Sequence, residues 1–468
     1  MPTTTKVLAE RVLAALYARQ PSAKVAVAAT GGGCSAAELL FGVGSSSTML
    51  HFAVPYARAS LQSFLGSDIA EPTKFCSRET AERMAAAARA QALDIVRREH
   101  ELEGDALLLP QMLGGFRASV GVGCTAALAT NYAKQGPHQC FLSICTAGVV
   151  GESAGTQVLG QQCATYHLNL SKALKRTRSE EDHIVGHWLV YLLAKAVAVD
   201  PDATRALHDA LIADQREDDR LTALHVAAID SPAPPPRDPL QELCVGSQAQ
   251  LTSVAFLPDG PSTVAVERLG FRGVVLSGSF NPLHQGHVAL ARAAQRLLQA
   301  RTGARDPLPV AFEIAVANAD KGAIAAAAVL QRVAQFTGSG GGGGGLGRWP
   351  VLVTNATLFT QKASLLSGCA FVIGADTAVR IVDKKYYGDD EHAMVLTLQE
   401  IARRGCVFVV AGRFDDKVAH RYVSAEEVLR DEIPAVFSTL FVPLGESDFR
   451  SDLSSTQLRE QQQQQTLT

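Results

Sequence analysis

Along the chain, short unbroken apolar runs alternate with longer segments whose apolar residues recur every three or four positions. The opening stretch, TTTKVLAERVLAALYARQ, is of the second kind and predicts a helix with one apolar face. It carries arginines, as a transit peptide does, but it also contains Glu10 and runs straight into KVAVAAT, so we read it as the first helix of a domain. KVAVAAT, ASVGVGCTAA and CFLSICTA predict strands in the first part of the chain. GVVLSG, VAFEIAVA, CAFVIGAD, CVFVVAGR and TLFVPL predict strands in the second. Continuous apolar strands separated by helices predict a parallel sheet covered on both faces. The fold class is therefore α/β, with two α/β domains, the second a Rossmann-like doubly wound parallel sheet.

Breaks in this pattern mark the boundaries. DSPAPPPRDPLQ, residues 230–241, has linker composition, and GSGGGGGGLG, residues 338–347, has almost no side chains to pack. The first domain is expected over residues 4–198 and the second over 271–460, with the glycine run as an insertion in it. Residues 199–270 would supply connecting helices and the proline-rich linker, RALHDALIADQREDDRLTALHVAA reading as one or two helices. Residues 461–468 form a polar tail.

Composition adds exclusions. Hydrophobic residues at 47%, charged residues at 19% and a formal net charge of −3 describe a soluble chain with no global field for nucleic acid or a membrane surface. An anionic substrate must be held by local groups. The nine cysteines show no C-x-x-C spacing, and an odd count scattered through apolar runs predicts reduced thiols, no zinc site and a cytoplasmic location.

The most specific pattern lies in GVVLSGSFNPLHQGHVALARAAQRLL, residues 273–298. An apolar strand ends in a Gly-Ser-Phe-Asn-Pro turn, and a helix-forming run begins just beyond two histidines, His284 and His287. Ligands of open α/β sheets bind outside the carboxyl ends of the strands, and a helix start there favours an anion. An imidazole at such a place can donate to phosphoryl oxygens as charge builds on them.

GSFNPLHQGH resembles the signature of the nucleotidylyltransferase superfamily, and its GSFNP form is most similar to the nicotinamide and nicotinate mononucleotide adenylyltransferases. LSSTQLR, residues 453–459, is similar to a second signature of that family. The resemblance implies His284 and His287 as catalytic residues. It also implies Gly278, Ser279, Phe280, Ser454, Ser455, Thr456 and Arg459 at the phosphates of ATP. Asn281, Lys321, Asp376 and Arg413 would meet the substrate, each of the last three closing a predicted strand. The implied reaction is in-line attack of a mononucleotide phosphate on ATP with release of pyrophosphate. Mg2+ would arrive with the triphosphate, and no dedicated metal site is expected. The partners would be ATP and the mononucleotide acceptor. A cytidylyltransferase, a pantetheine-phosphate-type adenylyltransferase and a catalytically weak nucleotide-binding scaffold are the alternatives.

The first block, from KVAVAATGGGCSAAELLFGVG through PTKFCSRETAERMAAAARAQ and SVGVGCTAA, resembles the CinA C-terminal domain, a nicotinamide-nucleotide amidase fold. Ala29 and Thr30 stand where that family has its glutamate and nucleophilic serine, and Leu61 where it has its assisting lysine. A leucine cannot move a proton or stabilise an oxyanion, so no amidase activity is expected. Nucleotide binding through TGGG remains open, Cys34 reads as a small buried-type residue, and the resemblance implies homo-oligomer formation through this block.

Overall fold

The computed structural model describes residues 3–66, 74–103, 109–132, 135–153, 156–216, 218–225, 238–245, 252–258, 264–266, 271–318, 322–337, 346–415 and 421–450. The chain divides into two units, one of residues 1–99, 113–148 and 161–234, the other of residues 100–112, 149–160 and 235–468. Both are α/β.

The chain begins with α1 (Thr3–Ala18), β1 (Lys24–Thr30), α2 (Ala36–Leu40), β2 (Met49–Ala53), α3 (Arg58–Leu65) and the long α4 (Arg78–Glu103). It continues through α5 (Leu109–Ala118), β3 (Ser119–Ala127), β4 (His138–Ser153), β5 (Thr156–Leu170), α6 (Arg178–Ala196), α7 (Pro201–Ala213) and β6 (Arg220–His225). In the first unit the strands run in the order β6-β5-β4-β3-β1-β2. β1 lies parallel to β2 and β3, whereas β3–β4 and β5–β6 are antiparallel, so this sheet is mixed rather than parallel. Successive residues of a strand face opposite ways. Val25, Val27 and Ala29 accordingly enter a core with Leu16 of α1, Trp188 of α6 and Leu207 of α7. Ala26 and Ala28 enter another with Leu61 of α3 and Met84 of α4.

Three expectations need correction here. The first unit does not stop at residue 198, because Leu207 and Leu211 of α7 are buried in its core. RLTALH is not helical; it forms β6, an edge strand whose backbone pairs with β5. Nor are all cysteines reduced: Cys145 of β4 and Cys163 of β5 form a disulfide, their Cα atoms 4.2 Å apart on neighbouring strands. Their separation of 18 residues in sequence gave no sign of that proximity.

The second unit contains α8 (Pro239–Val245), β7 (Ser253–Phe256), β8 (Val264–Val266), β9 (Val274–Ser277), α9 (Gln285–Thr302) and β10 (Val310–Ala315). A small ladder, β11 (Ala317–Asn318) with β12 (Gly322–Ala323), precedes α10 (Ala326–Thr337) and β13 (Val351–Thr354). Then come α11 (Phe359–Leu365), β14 (Ala370–Gly374), α12 (Ala375–Ile381), α13 (Glu391–Arg403) and β15 (Val407–Ala411). β16 (Arg413–Asp415), β17 (Arg421–Val423), α14 (Ala425–Asp431) and β18 (Phe441–Leu444) follow.

The parallel strands lie in the order β18-β15-β14-β9-β10-β13, with β7 added antiparallel to β13. Counted along the chain, this is the 3-2-1-4-5-6 arrangement of doubly wound sheets, whose order reverses between β9 and β14. Val275, Phe371 and Phe408 face α11, α12 and α13, while Val274, Val372 and Val409 face α9 and α10. A ligand crevice is expected beyond the carboxyl ends of β9 and β14. Among the described residues, no helix is long and apolar enough to cross a membrane.

Candidate functional site

The turn after β9 occupies that switch point. The amide of Gly278 continues the sheet ladder by donating to the Glu313 carbonyl at 3.0 Å, so it is not free for a phosphate. The Phe280 ring, expected near phosphate, instead lies in the core in edge contact with Phe312 and Phe336. Phe280 has a φ of 45°, a left-handed conformation that a bulky side chain rarely adopts, and α10 secures the turn around it. Arg332 donates to the Ser279 carbonyl at 3.2 Å, and Gln335 bridges the Phe280 carbonyl (3.1 Å) and the Leu283 amide (2.9 Å). Ser279 and Asn281 remain exposed at the tip. A strained loop held by side chains from another element is typical of a site kept in shape for a ligand.

His284 caps α9 and His287 sits in its first turn. Their rings stack with centroids 3.7 Å apart, and Phe280 meets the His287 ring edge-on at 5.1 Å. The His284 amide donates to Nδ1 of His287 at 3.3 Å, which leaves the proton of a neutral His287 ring on Nε2. Burial, reinforced by the neighbouring His284, pulls the His287 pKa down to about 4. Burial lowers His284 as well, and its Nδ1 is buried with no hydrogen-bond partner among the described residues. At neutral pH the pair is thus two uncharged imidazoles at a helix N-terminus, able to donate without repelling a bound cation.

Asp376 lies in the first turn of α12 and Arg413 begins β16. The structure brings these two expected substrate residues together as an ion pair of 2.6 Å, each side chain about half exposed. Lys321, Ser454, Ser455, Thr456 and Arg459 lie outside the described residues.

Beside the turn opens a cavity of about 380 Å³, walled by Ser277 at the end of β9, by Gly278 and Ser279 of the turn and by residues of α11, α12 and α13. Its lining mixes aromatic and aliphatic groups (Phe359, Tyr386, Ile401) with Arg332 and Arg380. Ser277 presents a buried hydroxyl with no partner among the described residues. Two further lining residues escaped the sequence reading. Glu313, in the middle of β10, accepts from Lys362 of α11 at 2.5 Å and from the Thr354 hydroxyl at 2.6 Å. The available signal was a glutamate inside VAFEIAVA, since a charge in a buried strand is expensive unless it is paired. Its partner, 49 residues away, carried no local mark.

The first unit has a separate cleft lined by Gly31, Gly32, Cys34, Tyr56, Arg178 and Asp182. The amides of Gly33, Cys34 and Ser35, which could have cradled a phosphate, donate to the Asp182 carboxylate at 2.6, 3.3 and 2.8 Å. Burial, with Asp182 adding to it, raises the Cys34 thiol, so Cys34 stays protonated. Leu61 is buried in the apolar cluster with Met84, and Thr30 is nearly buried. Among the described residues, no group of three or more His, Cys, Asp or Glu side chains could hold a metal ion.

No family model matches the sequence, and no curated protein matches it. Among solved structures, a competence-damaged protein (CinA) superfamily protein from Klebsiella pneumoniae 700603 is similar at 14% identity over 42% of this chain and 98% of that one. The TM-score is 0.26, a likeness too weak to bear on function.

Proposed function

We propose that the second unit is an ATP-dependent nucleotidylyltransferase that transfers the nucleotidyl group to a mononucleotide phosphate, nicotinamide or nicotinate mononucleotide, and releases pyrophosphate. The observation that carries this reading is the stacked, neutral His284–His287 pair on the first turn of α9, at the switch point of a 3-2-1-4-5-6 sheet and beside a cavity of nucleotide size. An acceptor seated in the cavity would present its phosphate to a triphosphate lying over the start of α9. The acceptor oxygen attacks the α-phosphorus in line, the bond to the bridging oxygen breaks, and pyrophosphate leaves. His287, with its proton on Nε2, donates to a phosphoryl oxygen as charge accumulates there. The N-terminal end of α9 contributes in the same sense. No protein nucleophile is required, since positioning and charge stabilisation suffice for phosphoryl transfer. Magnesium belongs to the substrate here, shielding the triphosphate it accompanies.

The test is an assay of pyrophosphate release by the full chain with each nucleoside triphosphate and with nicotinamide mononucleotide, nicotinate mononucleotide and pantetheine phosphate as acceptors. We expect release with ATP and a pyridine mononucleotide, and a loss of roughly two to three orders of magnitude in H287A with the fold intact. Release only with CTP or only with pantetheine phosphate would move the assignment within the superfamily. ATP binding without release for any acceptor would make the protein a nucleotide-binding scaffold.

We further propose that the first unit has no amidase activity. Asp182 occupies the amide cradle, Cys34 is a protonated thiol, and Leu61 is packed in the core.

A further inference from the structure

The cavity beside the turn holds a charge pair that the transfer chemistry leaves unused. Glu313 is 0% exposed and Lys362 is 6% exposed, yet both reach the cavity wall. Removing two charges from water is costly, and well-packed apolar residues of similar volume hold a fold as well or better. A pair kept at the wall of a cavity therefore points to a ligand. Both Glu313 oxygens already have donors, one from Thr354 and one from Lys362. An ammonium has three N–H groups, and the Glu313 contact uses one; the Phe359 ring, 5.7 Å from Nζ, adds only a weak attraction. The lining includes three cations, Arg332, Arg380 and Lys362, and one carboxylate, Glu313, and the buried Ser277 hydroxyl lies on a strand position directly opposite Glu313. The balance of charge favours an anion.

We propose that Lys362 binds an anionic oxygen group of the acceptor at the inner wall of the cavity, and that Glu313 is the positioning residue that aims its ammonium. The proposal rests on the nucleotidyl-transfer reading for the identity of the acceptor, and two sources supply the same chemistry. One is the ring carboxylate that distinguishes nicotinate from nicotinamide mononucleotide; the other is the phosphomonoester common to both.

The experiment measures calorimetric binding of nicotinate mononucleotide, nicotinamide mononucleotide and the phosphate-free nicotinamide riboside to the full chain without ATP. It compares wild type with K362M, E313Q and the double variant E313L/K362M. Loss of a charge-assisted contact should weaken binding in K362M about 10- to 100-fold. A loss confined to nicotinate mononucleotide assigns the carboxylate. An equal loss for both mononucleotides, with the riboside already weak, assigns the phosphate. E313Q should raise KM with kcat nearly kept. The double variant, whose apolar pair restores the packing, should melt within a few degrees of wild type and bind as weakly as K362M. A merely structural pair predicts that this variant recovers binding along with its fold. K362M binding both mononucleotides as tightly as wild type would overturn the proposal, as would wild type binding neither. Wild type that binds them but releases no pyrophosphate with any triphosphate would remove the transfer reading and leave the anion site standing.

Discussion

His287 has a pKa that burial and His284 shift from 6.5 to about 4, and this shift gives stability a pH-dependent component. Between those values the unfolded imidazole binds a proton that the folded one refuses, so stability falls as pH falls through this window and is fully present above it. Denaturant titrations should show wild type losing on the order of 1–3 kcal/mol between pH 6.5 and 4 from this source, and H287Q should lose less over the same range. If the two slopes coincide, the ring is not held neutral as described. The Asp376–Arg413 pair behaves differently, because it is half exposed. Surface pairs of this kind contribute about 0–1 kcal/mol, so D376N should leave the melting temperature almost unchanged. Any drop in pyrophosphate release in D376N would then report contact with the nucleotide rather than loss of fold.

At the scale of elements, backbone contact places α4 on β3. A Cβ on Gly123 would lie 2.2 Å from the Ala81 carbonyl oxygen and 2.5 Å from the Ala85 nitrogen; one on Gly121 would lie 2.0 Å from the Ala85 oxygen. Positions 121 and 123, which share one face of this strand, are therefore glycine because helix backbone occupies the space a side chain would need. G123A should destabilise the protein by roughly 2–4 kcal/mol, read as a lowered melting temperature, because neither backbone can yield. An unchanged melting temperature would mean that α4 is not seated on β3. The glycines of SVGVGCTAA were visible in the sequence, and so was the strand, but their cause was not. β1, β3, β9, β14 and β15 were legible because unbroken apolar runs bounded by turn residues have few other fates. β6 was misread because RLTALH supports either periodicity, and only its pairing with β5, some fifty residues earlier in the chain, decides between them.

For the whole molecule, the two units share the α/β class, and the transfer chemistry we propose is assigned to the second alone. In the first unit an internal carboxylate fills the amide cradle, so T30A and C34A should leave pyrophosphate release by the full chain within about twofold of wild type. Full-length protein incubated with nicotinamide mononucleotide alone should liberate no ammonia, measured by an enzyme-coupled assay. Ammonia release that is abolished in C34A would overturn our reading of that cleft.

Local chemistry was enough to establish the α/β class and the strand–turn–helix around GSFNPLHQGH. Each follows from side-chain type and spacing within some ten residues, where the backbone has few alternatives. Tertiary structure alone decided that Phe280 faces the core, that Asp376 meets Arg413, that Asp182 fills a cradle of amides some 150 residues away in sequence, and that Glu313 and Lys362 share the wall of one cavity. These are meetings between distant parts of the chain, and electrostatics and packing act through space without leaving a periodic trace in the order of residues.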